Sequence, residues 1–307
     1  MKFDVVTFGS AFVDVYLSSD DFKSMCKVEG GKWTIKNQVI TTGGGATNVA
    51  VGFERLGLQT AAVCCVGKDD WGLFVRKELK KEGVSLIYVQ QVDEPTSYST
   101  ILVDKDGGRS ALIYRKASNR LAWHKVNWDK LSPEWFYISS LGGDLTMLTK
   151  IIRVAQDRKI KVALNPGSKE IEAYDKLIQF LPHVDVLLVN REEAAKLTKH
   201  KVGNLDAIYK DISKFGAKVI AITNGRRGAV VFQEGEMVKM PAEKSKAVEE
   251  TGAGDAFGCG LVAGLVKGFE LKKALKMGLK NGAAVVEHFG PKKGLLFETE
   301  MGSILKK

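Results

Sequence analysis

Short runs rich in β-branched and aromatic residues alternate along this chain with longer amphipathic segments, and that alternation constrains the fold most. The runs are FDVVTFG at 3–9, TAAVCCVG at 60–67, WFYIS at 135–139, KVALNPG at 161–167, VDVLLVN at 184–190 and KVIAITNG at 218–225. Between them lie segments such as GLFVRKELKKEG at 72–83, whose apolar residues recur at helical spacing. Parallel strands need long crossovers, and helices supply them while covering the sheet. The order predicts an α/β fold: a doubly wound, mostly parallel sheet with helices on both faces.

Two stretches depart from the alternation. Residues 13–42 and 96–117 read as pairs of strands without helices, the second pair turning at Asp106-Gly107-Gly108. Joined, they predict a small β-sheet projecting from the main body, which is how a lid over a site is built. No internal repeat is visible, and 1–307 reads as a single domain with the lid segments inserted.

The longest apolar runs, AAVCC and VDVLLV, fall far short of a membrane span, and the charged residues near the start do not suit a secretory signal. A cytoplasmic protein is expected. Cys26, Cys64, Cys65 and Cys259 have no CxxC spacing and read as buried reduced thiols. The net charge of +10 comes largely from lysine pairs such as Lys80-Lys81, Lys272-Lys273 and Lys292-Lys293, read as solvated faces. With no Arg cluster or interleaved aromatics, the pattern argues against nucleic acid, while the positive field suits an anionic small molecule such as a nucleoside triphosphate.

In open α/β sheets, ligands bind at the carboxyl ends of the strands. Gly9, Gly67, Asn165-Pro166-Gly167, Asn190 and Thr223-Asn224-Gly225 all fall there. The stretch TGAGDAF at 251–257 adds chemistry. Gly252, Ala253 and Gly254 leave backbone N–H groups uncovered at a helix start, where unsatisfied donors and the helix dipole attract an anion. Asp255 then stands in the first turn, and a carboxylate beside an anion hole suits a hydroxyl that loses its proton while attacking phosphorus. The bare stretch equally suits a glycine turn whose Asp caps the helix. It is not a Walker A loop, since no GK[ST] follows. A second cluster, TTGGGATNVAVGFERLG at 41–57, again sets small residues before an apolar helix, so two helix entrances can face each other across a ligand.

GGGATN at 43–48 and TGAGDAF, with Asp14, NREE at 190–193 and TNGRRG at 223–228, resemble the ribokinase-like, or PfkB-type, carbohydrate kinases from end to end. The resemblance implies ATP-dependent phosphorylation of a hydroxyl on a small sugar or nucleoside by one kinase domain with a β lid. It assigns Asp255 as catalytic base and Gly252, Ala253 and Gly254 as the anion hole. Asp14, Gly44, Gly45 and Asn48 match positions that bind acceptor hydroxyls. Asn190 and Glu193 match the motif that arranges Mg²⁺, partly through water, and Thr223, Gly225 and Gly228 match the turn that holds the nucleotide.

The chain also departs from the family pattern. Glu249-Glu250 stands where the family commonly has Asp-Thr, so Glu249 and Thr251 become the candidate ligands for a monovalent cation such as K⁺, with a modest K⁺ response expected. The Asn often found beside adenine is Leu279 here, and Asn281 is carried over in its place. Arg115, after the lid hairpin, is a candidate for an anionic substrate group or a solvated lid charge. Ribose-like sugars and nucleosides lead as acceptors. The alternatives are a keto-deoxy sugar acid, a sugar phosphate, a pyridoxal-type vitamin or a silent ligand-binding relative. A homodimer through the lid is expected as well.

Overall fold

The computed structural model describes residues 2–19, 22, 31–104 and 109–304. The turn expected at Asp106-Gly107-Gly108 and the thiol of Cys26 lie outside them.

In chain order, β1 (Val5–Phe8) leads into a hairpin of β2 (Phe12–Ser19) and β3 (Asn37–Gly43), followed by α1 (Gly45–Arg55), β4 (Thr60–Gly67), α2 (Asp70–Lys81) and β5 (Val89–Val92). A second hairpin, β6 (Tyr98–Asp104) and β7 (Arg109–Tyr114), precedes β8 (Trp135–Ile138), α3 (Leu145–Arg158), β9 (Lys161–Leu164), α4 (Ser168–Glu172) and α5 (Tyr174–Phe180). The remainder is β10 (Val186–Asn190), α6 (Arg191–Thr198), α7 (Leu205–Ile212), β11 (Val219–Thr223), β12 (Ala229–Gln233), β13 (Glu236–Met240), α8 (Ala253–Val266) and α9 (Leu271–Val285).

The main sheet runs β13-β12-β11-β10-β9-β8-β1-β4-β5, parallel from β11 to β5. Its order reverses about β1, which places a crevice at the carboxyl end of that strand. The predicted strands all form. Periodicity missed the short edge strand β5 and the antiparallel pair β12 and β13 that closes the other edge. Buried aliphatic clusters cover both faces, one including Val49, Phe53, Tyr137 and Leu261, the other Phe8, Phe136, Ile151 and Leu187. Cys64, Cys65 and Cys259 are buried free thiols, as expected.

The two hairpins join into a separate sheet, β3-β2-β6-β7, with β2 and β6 parallel at its centre. Tyr16, Ile101 and Val103 on its inner face pack with Phe289 from the main body. Among the described residues, no helix is long and apolar enough to cross a membrane.

The glycines of α8 answer to packing rather than propensity. A Cβ on Gly264 would stand 2.7 Å from the Ala274 Cα, and one on Gly260 would stand 2.8 Å from the Met277 carbonyl oxygen. Small residues at this spacing let α9 lie against α8 along one face. A Cβ on Gly258 would overlap the hydroxyl of buried Tyr137. The helix that opens with Asp255 is thereby fixed on both the sheet side and the α9 side.

Candidate active site

The first turns of α8 and α1 meet. Gly252 caps α8 in the left-handed region at φ 82°, where an added Cβ would also press on Pro291 at 2.5 Å, so fold geometry demands this glycine. Gly254 is different, because a Cβ there would meet nothing within 4 Å. Packing leaves that space open, and it faces a cavity. Of the amides at this entrance, Ala253 N donates to the Glu250 carbonyl at 3.2 Å, whereas those of Gly254 and Asp255 enter no backbone hydrogen bond among the described residues. The Ala253 amide, expected as an open donor, is thus already engaged. Ala253 closes the turn, and the open donors follow it.

At the other entrance, Gly44 caps α1 at φ 95°, and its glycine neighbours leave room for the side chains of Asp14 and Ser139. A Cβ on Gly43 would overlap the Asp14 carboxylate, and one on Gly45 would come within 3.9 Å of Asp255 Oδ1. Asn48, in the first turns of α1, donates from Nδ2 to Asp255 Oδ2 at 2.8 Å, and its buried Oδ1 has no partner among the described residues. The Ser99 hydroxyl on β6 donates to Asp14 Oδ1 on β2, tying the acid across the lid sheet. Burial lifts the Asp255 carboxyl to about 6, against the hydrogen bond from Asn48 and the nearby positive charge of Lys292. Burial also raises Asp14, opposed by the Ser99 hydrogen bond and Lys292.

Two cavities open at the start of α8, the smaller of them onto Asp255. The smaller, about 230 Å³, is lined by Asn165, Asn190, Glu193, Thr223, Gly254 and Asp255 among others. The larger, about 550 Å³, shares Asn190, Thr223 and Gly254 with it and extends past Gly225 and Gly228 to Leu279. Asn190 and Glu193 form a reciprocal cap at the start of α6: Asn190 Oδ1 accepts from Glu193 N, and Glu193 Oε2 accepts from Asn190 N, both at 2.8 Å. The cap fixes the Glu193 carboxylate at the cavity wall, where burial raises its pKa. Oxygen donors of this kind suit a hard divalent cation such as Mg²⁺. Thr223 ends β11, and Gly228, at φ 91°, closes the following turn against the Met240 carbonyl. A Cβ on Gly225 would meet nothing within 4 Å.

Other expected residues stand elsewhere. Asn281 is fully buried away from the cavity: its Nδ2 donates to the Ala256 carbonyl at 2.8 Å, and its Oδ1 accepts from Leu296 N at 3.0 Å. The face of α9 that lines the larger cavity carries Leu279, Gly282 and Ala283, and position 281 points to the other side. Asn281 is thus a bolt between α8 and α9, and its assignment to the nucleotide is corrected. Arg115 is exposed, with its guanidinium stacked over the Phe12 ring at 5.0 Å. Glu249 is buried and accepts from the amide and hydroxyl of Thr251, so these two candidate cation ligands are bonded to each other.

Lys292 overturns the reading of its pair as solvated. It is 7% exposed, and its Nζ donates to Thr42 O and Oγ1 at 2.8 Å and to Thr47 Oγ1 at 2.9 Å. A lysine doublet carries no sign of burial, although the flanking glycines and the apolar Leu295 and Leu296 of GPKKGLL mark a segment folded inward. Ser99 was legible in principle, since alternation in YSTILV sets it on the inward face with Ile101 and Val103.

The chain matches the pfkB family carbohydrate kinases over residues 2–296. It is 26% identical to an ATP-dependent 6-phosphofructokinase of Thermoanaerobacterium thermosaccharolyticum, over 94% of this chain and 89% of that protein. It is 25% identical to a nucleoside kinase of Methanocaldococcus jannaschii, over 81% of this chain and 80% of that one. Its fold superposes on the structure of Arabidopsis thaliana ribokinase complexed with ribose and ATP at a TM-score of 0.83, with 21% identity and all of both chains covered. With two glycine-rich helix entrances meeting at one half-buried aspartate on a ribokinase-like fold, and a family match across nearly its whole length, this chain belongs to the pfkB family carbohydrate kinases and is a phosphotransferase.

Proposed function

We propose that this protein transfers the terminal phosphoryl group of ATP to a hydroxyl of a small sugar or nucleoside, with Asp255 as general base, the whole chain working as one domain. The observation that carries the reading is the bond from Asn48 to Asp255 beside the open amides of α8. When bound, ATP supplies the phosphoryl group and Mg²⁺ neutralises its phosphate oxygens. Asn190 and Glu193 are the residues suited to arrange the cation, and the turn from Thr223 to Gly228 is suited to the nucleotide.

The acceptor hydroxyl rests between Asp14 and Asn48, next to the Gly43–Gly45 turn. Asp14 accepts from acceptor hydroxyls, and Asn48 holds the Asp255 carboxylate toward the one that reacts. Asp255, ionised above about pH 6, takes the proton as the oxygen attacks. The amides of Gly254 and Asp255 face the charge that develops on the transferring group. The lid sheet, carrying Asp14 itself, excludes water before transfer.

The outer face of the lid sets Ile40, Val15, Thr100 and Leu112 in one cross-strand row, with Ile40 48% and Leu112 61% exposed. A second copy laid on that face covers it, and sedimentation of the wild type against Leu112→Glu tests the dimer. We read the kinase as cytoplasmic, where ATP is available to it. A coupled ATP assay over ribose, other sugars, nucleosides, sugar phosphates, keto-deoxy acids and pyridoxal tests the acceptor. Turnover confined to a sugar or nucleoside supports the reading; turnover with none of them contradicts it.

A further inference from the structure

Lys292 is a buried charge for which the reaction above has no use. Among the described residues its ammonium donates to neutral oxygens, those of Thr42 and Thr47. Thr47 lies in the first turn of α1 and passes the bond on to the carbonyls of Gly43 at 2.7 Å and Gly44 at 3.1 Å. A helix start favours anions, so a cation here is opposed both by burial and by the dipole. Stability alone gives no reason to keep it.

The surroundings supply one. The negative groups that act on Lys292 most strongly are Asp14 on β2 and Asp255 on α8, the two carboxylates beside the Gly43–Gly45 turn. Cys64 on β4 and Glu78 on α2 also act on it, Glu82 feels its charge, and Glu249 acts on Asp14. The lysine backbone is itself pinned, since Arg55 on α1 donates to the carbonyls of Lys292 and Leu295 at 2.9 Å while pairing with Glu82.

We infer that Lys292 is a positioning residue for the acceptor: its ammonium, set beneath the Gly43–Gly45 turn, is the fixed counter-charge of Asp14 and Asp255 and holds the turn on which the acceptor rests. This rests on the acceptor site proposed above. The charge of Asp14 opposes ionisation of Asp255, and the charge of Lys292 favours ionisation of both. Burial in turn brings Lys292 down to about 7, with Asp14 and Asp255 pulling it back up.

Lys292→Gln tests the charge, because its amide still offers donors to Thr42 and Thr47. Acceptor kcat/KM is expected to fall about tenfold at pH 5 and about twofold near neutral pH, with the acid limb moved up by about one unit. The defect should close near about pH 9, where both carboxylates ionise unaided. The KM for ATP should stay within about twofold, and Lys292→Arg should keep the wild-type acid limb. A defect equal at all three pH values, or an unmoved limb in folded Lys292→Gln, would overturn the inference.

A second reading needs no Lys292 variant to fold. NMR of isotope-labelled lysine side chains should find one lysine titrating well below the rest, and Asp255→Asn should lower it further by removing a negative neighbour. A lysine titration indifferent to Asp255→Asn overturns the inference. Should the acceptor reading itself be wrong, no compound of the panel would be turned over, yet this titration would still respond.

Discussion

Asn48 Nδ2 lies 2.8 Å from Asp255 Oδ2, joining the first turns of two helices that stand 207 positions apart in the chain. The bond favours the ionised carboxylate, whereas burial favours the neutral acid, and burial is the larger influence.

The pH dependence follows from that balance. With Asp255 lifted from 3.8 to about 6, the base is ionised at neutral pH and is lost as pH falls through about 6. Acceptor kcat/KM should therefore decline about tenfold per unit below that point. Asn48→Ala removes an influence that lowers the pKa, so its acid limb should move upward by about one unit. A pH–rate profile of both proteins reads this directly, and a downward or absent shift would contradict it.

Asp14 and the nucleotide cavity belong to different walls of the site, which predicts a split. Asp14→Ala should raise acceptor KM or lower acceptor kcat/KM by about a hundredfold or more, since a buried carboxylate paired with substrate hydroxyls is lost. Calorimetry should find ATP affinity within about threefold of wild type. Equal loss of both would place Asp14 outside the acceptor site.

Much of this was legible in the residues. The alternation of runs predicted the main sheet, and the helix-free stretches predicted the lid because strand pairs carry their own turn and pattern signals. TGAGDAF and GGGATN announced two helix entrances, since glycine clusters before apolar helices have few other uses. The pair β12 and β13 was not read because β13, mostly exposed and carrying Glu236 and Lys239, lacks the apolar run that marks the other strands. Asn281 was placed by neighbourhood in the sequence, but a helix turns about 100° per residue, so a shift of two from Leu279 carries a side chain to another face. Lys292 was misplaced because burial of a charge depends on oxygens from β3 and α1, far away in the chain.

That correction makes its own prediction. Asn281→Leu should destabilise the fold by about 2 kcal/mol, because the Leu296 amide and the Ala256 carbonyl lose their partner. Denaturant unfolding measures it. The ATP KM of the folded fraction should stay within about threefold of wild type, and a selective rise without destabilisation would restore Asn281 to the nucleotide site.

Metal dependence separates the two cation expectations. Chelation of divalent ions should abolish turnover, and Mg²⁺ or Mn²⁺ should restore it. Replacing K⁺ by a large organic cation should change the rate by no more than about threefold, because Glu249 is already engaged by Thr251. Complete dependence on K⁺ would show that the Glu249 clasp opens to hold it.

Asp255→Asn, assayed with ATP and the preferred acceptor, tests the assignment of the base most directly. Folding raises this carboxyl from 3.8 to about 6, so its stabilising contribution is present below about pH 4 and lost as pH rises through about 6. The uncharged variant should consequently melt at or above the wild-type temperature at neutral pH, with turnover lower by about two to four orders of magnitude. A variant that is folded and phosphorylates its acceptor at near the wild-type rate would contradict the assignment of Asp255 as the base.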